Sequence, residues 1–376
     1  MLYFDYAASS PLSKTALSIY EEGFLKFANP SSNHALGRAL FREIEEDRNK
    51  ILDALGLSKD QYHLLFTSSA TESNNLIIKG VAKHYQNRGK HLITSVLEHP
   101  SVTIPFKVLQ KEGFEVTYLP VNKEGKVEVD TLKNELDKET TLVSLIGTNN
   151  EIGSINDISS LSNAVRQFPK AFFHSDLTQA IGKTAMDFSK LDLFSWSAHK
   201  FGGPKGVGGL VFKKNIAFEP LLDGGGQEYG FRSSTLNYPG IVATTSALLE
   251  ALRSQKENER KVRSLYDYLR TELQKNPEIS INSPLDSSPY ILNFSLKTKK
   301  ASVLVEALSQ EGIYVSSVSA CSSKGEPISN VLLAIGKSEE DARNSIRISF
   351  SHETTLEEVK QLVFALHNTL ERIIKR

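Results

Sequence analysis

From about Leu36 to Phe212 the chain alternates short apolar runs with longer stretches of helical period. Strand-like runs fall at His63–Phe66, His91–Ser95, Glu115–Leu119, Thr141–Ile146, Ala171–His174, Leu193–Ser197 and Val207–Phe212. Between most of them lie helix-like stretches such as Glu72–Tyr85, Val102–Lys111 and Ile158–Phe168. Strands separated by helices predict a mostly parallel sheet with helices on both faces, an α/β fold. Val207-Gly208-Gly209-Leu210 follows its predecessor too closely for a helical crossover, so it is expected to add as an antiparallel strand.

Gly240–Lys275 reads as a long, charged, amphipathic helical stretch, with Ala247, Leu248, Ala251 and Leu252 and later Val262, Leu265 and Leu269 apolar. Pro277, Pro284 and Pro289 break that pattern. A strand (Ile291–Leu296), helix (Ala301–Gln310), strand (Ile313–Ser316), helix (Ile328–Ile335), strand (Ser345–Phe350) and helix (Leu356–Ile373) follow. The expected plan is a large α/β domain over residues 14–255. A smaller α+β domain would combine residues 1–13 with 256–376. The chain has no internal repeat and no low-complexity tract.

Composition narrows the classes. The 376 residues are 40% apolar and 23% charged, ordinary globular values. Lys+Arg and Asp+Glu balance at 44 each, so no bulk field draws the chain to nucleic acid or an anionic membrane. No run approaches the ~18 apolar residues of a membrane span, and Met1–Tyr6 lacks the basic start and apolar core of a signal peptide. A single cysteine, Cys321, rules out an internal disulfide and Cys-rich zinc sites, and no resident metal is expected. A soluble cytoplasmic protein is the expectation.

Candidate chemistry gathers at the ends of the strand-like runs. Ser195 through Gly206 place Lys200 after one run and before a Gly/Pro-rich turn. A lysine there suits a Schiff base with pyridoxal 5′-phosphate, although a lone Ser-x-His-Lys is more often a turn with a solvated lysine. Asp176 closes the preceding run, where a carboxylate can pair with a protonated pyridine nitrogen; alone it reads as a cap or turn residue. Ser69-x-x-Glu72 is a capping box at a strand–helix junction, and the free N–H groups of that helix start suit a phosphate. Asn149 through Gly153 also follow a strand and offer an amide near the same edge. In a parallel sheet such positions converge on one edge.

These stretches resemble the cysteine desulfurases of the nitrogen-fixation and iron–sulfur type, within the class V aminotransferase group of fold-type I pyridoxal-phosphate enzymes. The matching segments include Phe4–Ala8, Asn29–His34, Ser69–Asn74, Glu98-His99, Asn149–Gly153, Asp176–Gln179, His199-Lys200, Gly224–Gly226, Arg232–Thr235, Ser319–Ser322 and Ser345–Arg347. By this resemblance Lys200 holds the cofactor and Asp176 its ring nitrogen. His99 lies over the ring, and Gln179 and Asn150 reach the phenolic oxygen. Ala70, Thr71, Ser197 and His199 bind the phosphate, joined by Thr235 from a second subunit, which implies a homodimer with shared sites. Arg347 and Asn150 hold the carboxylate of L-cysteine, as the guanidinium fork allows; the competing reading of Arg347 is a buried structural ion pair.

Cys321 sits in the polar run Ser316–Gly325, unlike a core thiol. The resemblance makes it the sulfur acceptor, with His99 the better candidate than Lys324 for moving its proton. The stretch from Cys321 to Val331 is similar to the long-loop desulfurases, which deliver persulfide to acceptor proteins for cluster assembly or for tRNA and cofactor thiolation. Cys321 is also the one thiol able to ligate an iron–sulfur cluster in passing. Val318 and Ser234 stand where such relatives have glycine, and relatives that dock a cluster scaffold extend past the position of Arg376, so that docking is not expected here. The alternatives on the same framework are selenocysteine lyase, cysteine sulfinate desulfinase and aminotransferase. A non-catalytic scaffold would be marked by loss of Lys200, Asp176 or Cys321, and all three are present.

Overall fold

The computed structural model describes residues 1–317 and 328–374. A short strand β1 (Leu2–Tyr3) and two helices, α1 (Lys14–Leu25) and α2 (Ala35–Ala54), precede the alternating region. That region runs β2 (Tyr62–Thr67), α3 (Ala70–Tyr85), β3 (His91–Ser95), α4 (Pro100–Lys111), β4 (Glu115–Leu119), α5 (Val129–Glu135), β5 (Thr140–Ser144), α6 (Ile158–Val165), β6 (Phe172–Asp176), β7 (Leu193–Ser197) and β8 (Gly208–Lys213). Its strands form one sheet in the order β2-β8-β7-β6-β5-β3-β4. All are parallel except β8, which runs antiparallel to both β2 and β7, as the short connection before it required.

Successive residues of these strands serve opposite faces. Leu64, Ile93, Val143, Phe194 and Val211 join one buried core with Ile44 and Ile51 of α2, while Leu65, Leu92, Leu142, Leu193 and Leu210 join another with α3 and α4. Both faces are therefore apolar, and the strands read as continuous hydrophobic runs.

Beyond β8 come α7 (Tyr238–Arg253), α8 (Gln255–Gln274), β9 (Ile279–Ile281), β10 (Ile291–Leu296), α9 (Ala301–Gln310), β11 (Ile313–Tyr314), β12 (Ser316–Ser317), α10 (Asn330–Ala334), α11 (Glu339–Arg343), β13 (Ser345–Ser349) and α12 (Leu356–Ile374). The helical stretch expected over Gly240–Lys275 is helical, as two helices that meet at Ser254. Ile241 and Leu248 of α7 face the first core, whereas Val262, Leu265 and Leu269 of α8 face another one built on the antiparallel sheet β12-β13-β10-β9. One straight helix cannot serve both. The strand expected at Ile313–Ser316 is likewise two: Ile313–Tyr314 pairs with β1, and Ser316–Ser317 pairs with β13.

The N-terminal segment ties the cores together. Phe4 is buried with α8, α12 and β10, and a few residues later Ser10 and Ser13 donate backbone N–H groups to His199 O and Gly202 O.

Candidate active site

Five parallel strands deliver the candidate residues to one edge of the large sheet. Thr67 of β2 leads into the start of α3, Ser95 of β3 into Glu98 and His99, and Ser144 of β5 into Asn149 and Asn150. Asp176 ends β6 and Ser197 ends β7, three residues before Lys200. All are C-terminal ends, where loops and helix N-termini leave backbone donors open.

A buried polar chain fixes two of these groups. Asn74, in the interior of α3, donates from Nδ2 to Asp176 Oδ2 (2.8 Å) and to Ser101 Oγ (2.9 Å), and Ser195 Oγ donates to Asn74 Oδ1. Thr178 N–H bonds Asp176 Oδ1 at 2.9 Å. Each carboxylate oxygen retains a lone pair for a further donor. His99 caps α4, and its Nδ1 accepts from Ser101 N–H at 3.1 Å, with Ser101 Oγ at 2.8 Å. A neutral ring held this way carries its proton on Nε2. Crowding by protein lowers the His99 pKa, Asp176 opposes this, and Lys200 adds to it, so the neutral form is favoured. Beneath Asp176, His174 is fully buried on Ser144 Oγ, and burial pushes its pKa down to about 4.

Lys200 turns its amine onto the N-terminal segment, donating to Ala7 O at 2.6 Å and Ala8 O at 2.8 Å. Gln179 Nε2 shares the Ala7 acceptor at 2.8 Å, and Lys183 Nζ donates to Gln179 Oε1 at 3.2 Å. Half of the capping box expected at Ser69 forms as the pattern predicts, Ser69 Oγ accepting from Glu72 N, but the Glu72 carboxylate returns to Ser68 N (2.7 Å), one residue before the cap. Burial raises the Glu72 pKa, but Arg232 and Ser68 outweigh it and hold the carboxyl below its ordinary range. Ala70 N–H points to Ser197 Oγ at 2.7 Å, which joins the helix start to the end of β7. His199 Nδ1 lies 3.2 Å from Ser9 Oγ; burial, with Lys200, Lys205 and Lys183 nearby, brings its pKa down to about 4.

On the rim, Arg347 of β13 donates to Asn150 O (2.9 Å) and to Asp5 Oδ1 (2.8 Å), while its Nε is buried with no acceptor among the described residues. Thr235 is exposed on the segment entering α7, and no hydrogen bond joins it to the other candidates among the described residues. Cys321 lies outside the described residues.

The family model described as aminotransferase class-V matches residues 2–362. The chain belongs to the class-V aminotransferase family. It is 42% identical to the cysteine desulfurase IscS of Dictyoglomus turgidum, the match covering all of this chain and 95% of that one. It is 40% identical to a NifS/IcsS protein homolog of Lactobacillus delbrueckii subsp. bulgaricus, covering 98% of it. Among solved structures, a NifS-like protein superposes with a TM-score of 0.92 at 34% identity over 98% of this chain and 99% of that one, and a NifS-like protein from Rickettsia africae with 0.90 at 30% over 99% of each. The fold-type I expectation and the desulfurase-like resemblance are borne out.

Class-V aminotransferases use pyridoxal phosphate, and the donors here fit it. An amine, a carboxylate with spare lone pairs and the N-terminus of α3 share one strand edge. Gly208 adds a close approach, since a Cβ there would sit 2.4 Å from the carbonyl carbon of Ser69 and fill the turn that opens α3. Sequence reasoning missed Asn74, Ser101, Ser195 and Lys183. Asn74 left one sign, an amide on the apolar side of a helix, where asparagine is unfavourable unless bonded.

Proposed function

We propose that the protein is a cysteine desulfurase that converts L-cysteine to L-alanine and takes the sulfur as a persulfide on Cys321. The observation that carries this reading is the placement of the Lys200 amine, the Asp176 carboxylate and the His99 ring on one strand edge, with Arg347 bonded to Asn150 O in the loop after β5. Pyridoxal phosphate, when bound, supplies an electron-withdrawing ring that loosens bonds at the amino-acid α-carbon. Lys200 would hold the aldehyde carbon of the cofactor, and its amine would carry protons. Asp176, fixed by Asn74 and Thr178, accepts the ring N–H. N–H groups of Ala70 and Thr71, with Ser197 and His199, would hold the phosphate, and Gln179 and Asn150 would bond the phenolic oxygen. Arg347 takes the substrate carboxylate. His99 moves a proton at Nε2. The substrate carbon–sulfur bond breaks as a sulfur–sulfur bond forms to Cys321 Sγ, and the thiol proton ends on alanine, so atoms and electrons balance.

Thr235 belongs to this reading as the phosphate ligand of a second subunit. Exposed Phe24, Leu25 and Phe27 at the end of α1 and Leu36 and Phe41 on α2 support a homodimer, because apolar side chains gathered in one stretch of surface mark an interface. Phe41 lines the same groove as Gly225, Tyr229 and Leu236, next to Thr235. Among the described residues no helix is long and apolar enough to cross a membrane. We place the enzyme in the cytoplasm, passing persulfide to an acceptor protein.

The test is turnover of L-cysteine by purified protein with dithiothreitol present to reduce the persulfide to thiol and sulfide, following sulfide and alanine together with the visible spectrum. Equal yields of both, lost in Cys321→Ala while the cofactor absorbance stays, are expected. Normal turnover by Cys321→Ala would overturn the sulfur-acceptor role. A cofactor band without cysteine turnover would overturn the substrate assignment and turn the search to selenocysteine, cysteine sulfinate and amino-group acceptors.

A further inference from the structure

Lys183, on the turn after β6, has no part in the mechanism above, yet it is only 8% exposed. Lysines so deeply buried are rare. Its Nζ donates to Gln179 Oε1 at 3.2 Å and lies 5.8 Å from the centre of the Tyr290 ring. Gln179 in turn donates Nε2 to Ala7 O (2.8 Å), the carbonyl that also accepts from Lys200 Nζ (2.6 Å). A continuous chain of hydrogen bonds therefore joins Lys183 to Lys200 through Gln179 and Ala7.

A primary amide can sit in two orientations that exchange oxygen for nitrogen, and neighbours decide between them. A lysine ammonium is a donor only, so beside it Gln179 must turn its oxygen inward. The Nε2 side then faces away from Lys183, with one N–H on Ala7 O and a second left to donate. We propose that Lys183 is a positioning residue that fixes the Gln179 amide, so that an N–H rather than an oxygen meets the phenolic oxygen of pyridoxal phosphate. This rests on the cofactor reading above. Burial, with the cations Lys200 and Arg347 nearby, brings the Lys183 pKa down to about 7, so the donor-only ammonium is the form below that pH, and the hydrogen bond to Gln179 Oε1 at 3.2 Å is what fixes the amide there. Gln179 Oε1 is its one hydrogen-bond acceptor among the described residues.

The test is a double-mutant cycle on pyridoxal-phosphate affinity, with the visible spectrum and thermal unfolding of each variant recorded alongside. Lys183→Met keeps the length and removes the donor. It should weaken cofactor binding about tenfold, the size of one hydrogen bond to a charged group. In a Gln179→Ala background the same substitution should change affinity less than twofold, because Lys183 acts through that amide. Lys183→Gln, which keeps an N–H for Gln179 Oε1, should bind within about threefold of the parent and provides a second reading should Lys183→Met fail to fold. Equal losses in both backgrounds, or a tenfold loss in Lys183→Gln, would overturn the assignment. So would a Lys183→Met protein that binds as tightly as the parent. A parent protein that binds no pyridoxal phosphate would instead overturn the cofactor reading itself.

Discussion

Glu98 precedes His99 at the end of β3, and it is buried without a cationic partner among the described residues. Ser95 Oγ (2.6 Å) and Ile146 N (3.0 Å) both donate to Oε1, while Oε2 has no acceptor or donor among the described residues. Burial, with the Asp176 charge adding, raises its pKa from the ordinary 4.5 to about 8. Between these values the folded protein keeps a proton that the unfolded chain has released, so stability falls as pH rises through that window. Fully expressed, the gap corresponds to roughly 5 kcal/mol. Glu98→Gln keeps the shape and removes the titration. Its amide carries an N–H in the place of Oε2, a penalty of about 1–3 kcal/mol that is the same at every pH. The difference in unfolding free energy between parent and variant should therefore swing by roughly 4 kcal/mol between pH 5 and 8.5, in favour of the variant at high pH. Urea unfolding followed by far-ultraviolet circular dichroism at both pH values measures it. Parallel pH dependences, within about 1 kcal/mol, would refute the claim that Glu98 is held protonated.

Two further substitutions probe the frame around the site. Gly208→Ala places a Cβ 2.4 Å from the Ser69 carbonyl carbon and 2.9 Å from Ala70 N. It should destabilise by about 1–3 kcal/mol and, by displacing the start of α3, weaken pyridoxal-phosphate binding more than tenfold; unchanged affinity by titration would argue against a phosphate site there. Glu228 forms a buried fork with Arg48 at 2.7 and 2.9 Å and accepts from Phe66 N at 3.1 Å. Glu228→Ala leaves Arg48 Nη2 buried without its carboxylate, with Nε still on Glu45 and Nη1 on Leu64 O, and should lower the urea-unfolding free energy by about 3 kcal/mol, whereas Arg48→Met with Glu228→Leu should recover most of it.

Much of this molecule is decided by local pattern. Alternate strand residues such as Leu92 and Ile93, or Leu193 and Phe194, serve opposite apolar cores, so the runs announce a sheet covered on both faces. The cap at Ser69 is local chemistry, and the structure forms it, with the Glu72 return bond displaced by one residue to Ser68 N. The antiparallel course of β8 follows from a connection too short to cross over. Motif resemblance then brought Lys200, Asp176, His99 and Gln179 into one hypothesis, and parallel topology puts them on one edge. Other features depend on residues far apart in the chain. Nothing near Gly240–Lys275 says that a helix must break at Ser254; the break arises because its two apolar stripes meet different cores. Asn74, Ser101 and Ser195 become one network with Asp176 and His99 only when α3, α4, β6 and β7 meet. Arg347 finds Asp5 across nearly the whole chain length, and Lys183 becomes a buried amine on Gln179 only because the turn after β6 is covered. Periodicity and caps are set by neighbours in sequence, and sequence determined those. Partners of buried polar groups are set by which elements share a core, and only the tertiary structure decided them.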